Sequence, residues 1–404
     1  MAQLKAFTAL RPTEKWVREV ASLPYDVMTN EEALEMVKDH PYSFLNIDKP
    51  DIHTTEKGQA IYKEAGKRLQ QMIDQGIFIE ESEGLYIYEL QTNQVHQYGL
   101  VGLVSVADYE SGVIKKHENT RSDKQQERVW HIEHCKAHTG PIFLVDHVLK
   151  DLGHQLESYA NTHKPLFDET FEDEITHRIY KVTEEAFINQ WIEDFETIPH
   201  LYIADGHHRA AAACEVAEQL GESMPEAQNF LAVIFPKEQL QILAYHRVLK
   251  DESGYTKEVL WEKLGTYFNI TPIEDLVYVP TQRHTFGMRY KKQWYQLTCK
   301  ESYLKTLQGS DALDVSILQN EVLAPIFNIE NPKEDPRIDF IPGVEVAITL
   351  NERTEKDMDI AFSLYPTSLD ELIAVADENG LMPPKSTWFE PKLRSGFLIH
   401  PFTK

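Results

Sequence analysis

Apolar residues recur along this chain with two different periods, and the changes of period mark out its elements. Ile61, Ala65, Leu69, Met72 and Ile73 follow the spacing of one helix face, and Gly76 suits the left-handed residue just past a helix end. Upstream, Thr29 and Glu32 stand at capping-box spacing. Hydroxyl and carboxylate can then each satisfy a free N–H at a helix start, and this helix should stop before Pro41. Leu85-Tyr86-Ile87-Tyr88 and the run from Tyr98 to Val106 are rich in strand formers, with Thr92-Asn93-Gln94 as the turn between them. A helix is expected over 122–137 and a strand from Pro141 to Val145. Leu201 to Ala204 is a short apolar run, followed by Asp205-Gly206-His207-His208-Arg209 and an alanine-rich helix from Ala210 to Leu220. After Gly221 and Pro225 a second apolar run extends from Phe230 to Phe235. The order is strand, tight turn, helix, strand.

The final third mixes strand-like runs (Thr285 to Tyr290, Trp294 to Leu297, Val344 to Leu350, Ile360 to Leu364) with helices expected at 311–325 and 368–379. Its tail, Met382 to Phe389, is too rich in proline for a helix. No internal repeat, heptad seam or low-complexity segment interrupts the pattern.

Length adds that two or three domains are expected, because 404 residues exceed the roughly 250–300 at which a single core stops growing. Charge narrows the partners. There are 40 Lys+Arg against 65 Asp+Glu, a formal charge of −25. That surplus opposes general nucleic-acid binding, which needs a basic footprint, and attachment to anionic lipid through Lys/Arg clusters. A local basic site inside an acidic shell remains compatible with it. Cys135, Cys214 and Cys299 lie far apart and form no CxxC, which points to reduced thiols and not to a disulfide framework or a zinc ribbon. Met1 to Trp16 has no apolar core of secretory length, and no stretch is apolar enough to span a bilayer. A soluble cytoplasmic protein is the expectation.

Chemistry concentrates in two short segments. In Asp205-Gly206-His207-His208-Arg209, glycine lets the backbone turn sharply and approach a ligand. The free N–H groups of the following helix start suit an anion. Arg209 can add a bidentate fork, and the histidines further donors or a general acid. Asp205 is a metal ligand, a base, or only the helix cap; an ordinary solvated helix start is the plain alternative. In His117-Glu118-x-Thr120-Arg121, a carboxylate beside a histidine, with a hydroxyl and a guanidinium, can hold Mg²⁺ or deprotonate an alcohol. Taken alone, a charged loop entering a helix, with Glu118 and Thr120 as capping groups, is the simpler account. His131, His134 and His138 share a helix face, one turn after Glu127. Without HExxH spacing, and with 17 histidines in the chain, they are not expected to bind metal. Lys385-Ser386-Thr387 and Lys392-x-Arg394 can meet an anionic substrate or simply lie exposed in a tail. The P-loop, dinucleotide-binding, nucleophile-elbow and protein-kinase signatures are absent.

Several pieces, taken in order, resemble a widespread prokaryotic family known only as a domain of unknown function (family 1015). They are Ala6-Phe7-x-Ala9-Leu10-Arg11-Pro12, Leu23-Pro24-Tyr25-Asp26-Val27, His117-Glu118-x-Thr120 and Ala204-Asp205-Gly206-His207-His208-Arg209. Further on come Ala244-Tyr245-x-Arg247, Met382-Pro383-Pro384-Lys385-Ser386-Thr387 and Pro391-Lys392-Leu393. The resemblance covers nearly the whole chain. The strand–turn–helix element is also similar to the phosphate-binding turn of the ParB/sulfiredoxin-like superfamily, whose free-serine kinase branch carries a closely similar Asp-Gly-His-x-Arg turn. That likeness implies that Gly206, His207, His208 and Arg209 hold phosphate, and that Asp205 faces a metal or the substrate. Two departures matter. The turn lacks the cysteine of sulfiredoxins, and a charge of −25 opposes the DNA-binding surface of ParB.

The resulting expectation is an α+β protein with a mixed β-sheet. Residues 1–270 would form a ParB/sulfiredoxin-like core with an N-terminal elaboration, and 271–404 a C-terminal α/β subdomain or lid. The resemblance implies a phosphate- and nucleotide-binding enzyme of small-molecule phosphoryl transfer, most concretely a free-serine or hydroxy-amino-acid kinase using ATP or ADP and Mg²⁺. A phosphoserine-type phosphohydrolase and a non-catalytic nucleotide-responsive module are the alternatives. Glu118, His117, Asp205 and His207 are the catalytic candidates, and Gly206, His208 and Arg209 would hold the nucleotide. Thr120, Arg121, Lys385 and Ser386 would meet the substrate (serine or phosphoserine), and Asp205 and Glu118 would hold Mg²⁺. No nucleic-acid or membrane partner is expected.

Overall fold

Strand-forming runs spread over the first 236 residues meet in one nine-stranded mixed sheet in this computed structural model, which describes residues 1–56, 58–343 and 346–402. In spatial order its strands are Ile114–Lys115, Leu201–Asp205, Ile142–Asp146, Asn229–Pro236, His96–Ser105, Leu85–Gln91, Thr176–Val182 and Phe167–Thr170. Leu4–Lys5 also pairs with His96–Ser105. Two pairings are parallel, Leu201–Asp205 with Ile114–Lys115 and Asn229–Pro236 with Ile142–Asp146; the others are antiparallel.

Side chains alternate across a sheet, so every second residue faces one core. Leu85, Ile87, Leu100, Leu144, Ile203, Phe230, Ala232 and Ile234 share one such cluster with Trp191, Phe195, Ala210, Ala213 and Ala217 from helices. The alanines let the His207–Leu220 helix lie close to the sheet. That helix packs on Ser122–Cys135, which in turn packs on Gln59–Asp74. The capping box forms as expected: Thr29 N donates to Glu32 Oε2 at 2.8 Å, and Glu32 N donates to Thr29 Oγ1 at 3.2 Å.

The chain divides into two compact units, Met1–Leu240 with the tail from Pro391, and Gln241–Glu390. The division thus falls at Leu240, where the sequence placed a boundary after 270, and the tail counts with the first unit. The second unit holds an antiparallel six-stranded sheet, ordered Phe268–Ile273, Gln293–Cys299, Thr285–Tyr290, Ile360–Leu364, Tyr245–Leu249 and Ile338–Pro342.

Two expectations for this region are corrected. The strand expected at 344–350 is instead helix from Val346 to Lys356, with 344 and 345 outside the described residues. Leu350 is buried with Val248, Trp294, Ile341 and Ala361, and Arg353 pairs with Asp357 one turn on at 2.9 Å. Packing outweighs the β-branched composition here. The helix expected at 311–325 runs as Asp314–Leu318, a π turn at Gln319–Leu323, and Ala324–Phe327. Pro325 lacks the N–H for an α bond to Glu321 and its ring crowds that carbonyl, so the local widening accommodates it.

Candidate functional site

The turn begins where the Leu201–Asp205 strand loses its register, between Ile203 and Asp205. Gly206 follows at φ +98°, a conformation side chains resist, and the His207–Leu220 helix starts at once. A Cβ on Gly206 would lie 3.3 Å from Arg209 Nε and Nη2, and one on Gly140 would lie 3.3 Å from Arg209 Nη1. The guanidinium is therefore seated between two glycines. Its Nη1 donates to the Pro141 carbonyl, and its Nη2 lies 3.4 Å from Asp205 Oδ2. Its Nε is buried and has no hydrogen-bond partner among the described residues. Burial opposes the charge, but Asp205, Asp26, Tyr25 and Asp48 outweigh it and push the pKa of Arg209 up. The cation is permanent.

The loop 116–121 is brought beside this turn because Ile114–Lys115 pairs in parallel with Leu201–Tyr202. His117 is buried, and its ring meets that of His207 edge-on with centroids 4.5 Å apart. Burial, and then His207, pull the His117 pKa down to about 3, against the opposing pull of Glu118, the Ile203 backbone and Asp205. His117 is thus neutral near pH 7 and unsuited to acid–base work there. His208 Nε2 accepts from the Arg121 backbone N–H at 3.0 Å. The Arg121 side chain pairs with Asp123 at 2.7 Å. Thr120 Oγ1 donates to Gln125 Oε1 at 3.0 Å, and Gln125 Nε2 donates to Glu215 Oε2 at 2.9 Å. The fold therefore gathers His117, Glu118, Asp205, Gly206, His207, His208 and Arg209, with Arg121 joined through its backbone.

Sequence reasoning missed a second group. A cavity of about 20 Å³ is lined by Tyr25, Asp48, Arg128, Thr139, Gly140 and Arg209, among others. Arg128 is buried; its Nη2 donates to the Asp48 carbonyl at 3.1 Å and its guanidinium lies 3.9 Å from the centre of the Tyr25 ring. The Nε of Arg128 is also buried, without a hydrogen-bond partner among the described residues. Burial opposes its charge, and Tyr25, Asp48 and Tyr62 outweigh burial. The Asp48 carboxylate accepts from Thr139 Oγ1 at 3.1 Å. The loop carrying Tyr25 is held by the tail, where Ser22 and Ser395 exchange backbone hydrogen bonds of 3.2 and 2.9 Å. Tyr25 stood in a quoted motif and Arg128 in the polar segment before the helix; Asp48 carried no signal.

The histidines at 131, 134 and 138 serve other ends. His131 Nε2 bonds the Ile47 carbonyl at 3.0 Å, and the His138 ring stacks on that of His400. Among the described residues no three His, Cys, Asp or Glu side chains are grouped to hold a metal.

Lys385 and Ser386 belong to the second unit. There Arg247, buried, donates to the carbonyls of Pro384 and Lys385 at 3.3 and 3.0 Å, and burial pushes its pKa down to about 9. Ser386 is buried with its hydroxyl on the Pro383 carbonyl, while Lys385 is exposed with Nζ 3.4 Å from Tyr245 Oη.

The chain matches, over residues 4–316, the family described as "Protein of unknown function (DUF1015)", and it belongs to that family. No curated protein matches it in sequence. Among solved structures it is similar to a free serine kinase in complex with AMP, at 10% identity and a TM-score of 0.40, over 74% of this chain and 89% of that one. It is similar also to a conserved hypothetical protein from Pyrococcus furiosus, at 11% identity and a TM-score of 0.37, over 72% of this chain and 92% of that one. A third is SbnI with C-terminal truncation from Staphylococcus aureus, at 13% identity and a TM-score of 0.40, over 72% and 84%. No helix among the described residues is long and apolar enough to cross a membrane.

Proposed function

We propose that the Asp205–Arg209 turn holds a phosphate group and that the protein is an enzyme of small-molecule phosphoryl transfer, most concretely a free-serine or related hydroxy-amino-acid kinase using ATP or ADP. The observation that carries this reading is Arg209. A permanent guanidinium, with a buried donor that has no partner among the described residues, sits between Gly206 and Gly140 at the N-terminus of a 14-residue helix. Free backbone N–H groups and the positive end of the helix dipole favour an anion at that end. The glycine turn between strand and helix also supports a ParB/sulfiredoxin-like assignment of the core.

Phosphoryl transfer is mostly positioning and charge neutralisation. Arg209 and the helix start would carry the phosphate charge, with His207 and His208 as further donors. Glu118, half-buried beside the neutral His117, would take the proton of the acceptor hydroxyl. Thr120 and Arg121, on the same loop, would meet the acceptor. Mg²⁺ commonly uses one or two carboxylates, with phosphate and water completing its shell. Asp205 and Glu118 would be that pair, and the ion would screen the phosphate charge. The same turn would hold phosphate equally in a phosphohydrolase, where water takes the phosphoryl group of phosphoserine. Three free cysteines agree with a reducing, cytoplasmic setting.

A second reading, a nucleotide-responsive module without turnover, draws on one observation. His117 is held neutral with its pKa near 3 and leaves the acid–base set smaller than the sequence implied.

The test is a thermal-shift and turnover screen of ATP, ADP, CTP and pyrophosphate against serine, phosphoserine and related amino acids, with Mg²⁺. Stabilisation by a nucleotide together with a phosphorylated product supports the kinase. Stabilisation without product leaves the binding module, and no response in any combination overturns both.

A further inference from the structure

We propose that the cavity between Arg128 and Arg209 is an oxyanion subsite, closed by two guanidinium groups from two packed helices, that takes an oxygen of a doubly charged phosphate group held at the turn. The proposal rests on the phosphate reading of the turn and adds to it a second cation and a preferred ligand charge.

The first observation is a pair of donors. Arg128 Nε and Arg209 Nε are both buried and both without a hydrogen-bond partner among the described residues, and both side chains line one cavity. Buried polar groups in native proteins are nearly always satisfied, and those that are not point to an unplaced water or ion. At about 20 Å³ the cavity has room for one atom the size of a water or a phosphate oxygen, which needs roughly 10–15 Å³.

The second observation is charge. Asp48 is the one carboxylate in the cavity wall among the described residues, and its Oδ1 already accepts from Thr139 and lies 3.7 Å from His131 Nε2. Asp205, 3.4 Å from Arg209 Nη2, and Asp26 offset the Arg209 charge from outside that wall, so what the wall itself presents is two guanidiniums and one carboxylate that is already engaged. Planar guanidinium forks match the oxygens of phosphate, and two of them favour the dianion of a terminal phosphate over the monoanion of a diester.

The third observation is position. The Ser122–Cys135 and His207–Leu220 helices pack together, so the Arg128 fork is carried to the same place as the phosphate-holding turn. Tyr25 lies against Arg128 and keeps its guanidinium from turning away.

The experiment is calorimetric titration of the full chain at about pH 8 with inorganic phosphate, phosphoserine and dimethyl phosphate, for the parent, Arg128→Gln, Arg128→Lys and Arg209→Ala. Losing a charge-assisted bond of this kind should weaken phosphate and phosphoserine by roughly ten- to a hundredfold in Arg128→Gln. Arg128→Lys keeps the charge without the fork and should fall between Arg128→Gln and the parent, and dimethyl phosphate should bind the parent more weakly than phosphate does. Parent-like phosphate affinity in Arg128→Gln, as expected if the cavity holds only water, overturns the proposal. So does a diester that binds as tightly as phosphate. Should circular dichroism show that Arg128→Gln does not fold, parent-like affinity in Arg128→Lys overturns it instead. If Arg209→Ala loses binding while the Arg128 variants keep it, the phosphate reading of the turn stands and this inference fails. If all three variants bind as the parent does, both fail.

Discussion

The rings of His117 and His207 meet edge to face, with planes at 90° and centroids 4.5 Å apart. The contact fills space against the turn and keeps His117 from water, and its pKa falls from 6.5 to about 3. A histidine lowered in this way takes its proton first in the unfolded chain, so acid favours unfolding. Its contribution to stability is complete above about pH 6.5 and is lost as pH falls toward about 3. His138, lowered to about 3, and His131, lowered to about 4, act with the same sign. The urea midpoint of the protein should therefore fall steadily from pH 7 to pH 4. His117→Asn should flatten that slope by up to about 1.4 kcal/mol per pH unit, one proton's worth. Denaturation series at several pH values measure it, and a parent curve that stays level across this range contradicts the account.

Gly206→Ala should be costly twice. At φ +98° an L-residue is strained by about 1–2 kcal/mol. Its Cβ would also press on the Arg209 guanidinium from 3.3 Å and displace it. Gly140→Ala presses on the same guanidinium, also from 3.3 Å, without the positive φ. Both variants should weaken phosphate binding, and Gly206→Ala should lose more stability. Parent-like phosphate affinity in both would separate the two glycines from the site.

The local parts of this site were legible and the distant ones were not. A glycine between an apolar run and an alanine-rich stretch encodes strand, turn and helix within twenty residues, although the helix begins at His207, three residues before the Ala210 start that the alanines suggest. Arg128 and Asp48 are 80 residues apart. They meet only because the Gln59–Asp74, Ser122–Cys135 and His207–Leu220 helices stack, which no local pattern encodes. The segment from Val346 misled for the opposite reason. Its β-branched residues favour a strand locally, and the burial of Leu350 with the Arg353–Asp357 pair decides for a helix. Ser386 looked like a substrate contact by residue type, yet its hydroxyl is engaged with the Pro383 carbonyl.

The capping box at Ser368 offers a check on the second unit. Ser368 N donates to Glu371 Oε2 at 2.8 Å and Glu371 N donates to Ser368 Oγ at 3.2 Å, while Glu371 also pairs with Arg283 at 2.7 Å. Ser368→Ala should cost about 1 kcal/mol, as N-cap losses do, and Glu371→Ala should cost at least as much because it loses the ion pair too. Thermal or chemical denaturation reads both. A Glu371→Ala variant more stable than Ser368→Ala would mean that the Arg283 pair contributes nothing.

Glu118 is the residue on which the enzyme and binding readings part. It is half-buried on the loop beside the turn, and its charge favours protonation of the neutral His117 ring. If it takes the acceptor's proton, Glu118→Gln keeps the shape and hydrogen-bonding reach of the side chain but cannot accept that proton. Turnover should then fall by about 10²- to 10⁴-fold, the usual worth of a positioned base, while nucleotide binding by calorimetry stays near that of the parent. Loss of binding and turnover together would make Glu118 a ligand for the nucleotide or its Mg²⁺, because charge neutralisation and not proton transfer would then be what it supplies. Unchanged turnover would remove Glu118 from the chemistry altogether and leave Asp205 as the remaining carboxylate at the turn to be replaced by Asn and measured in the same two assays.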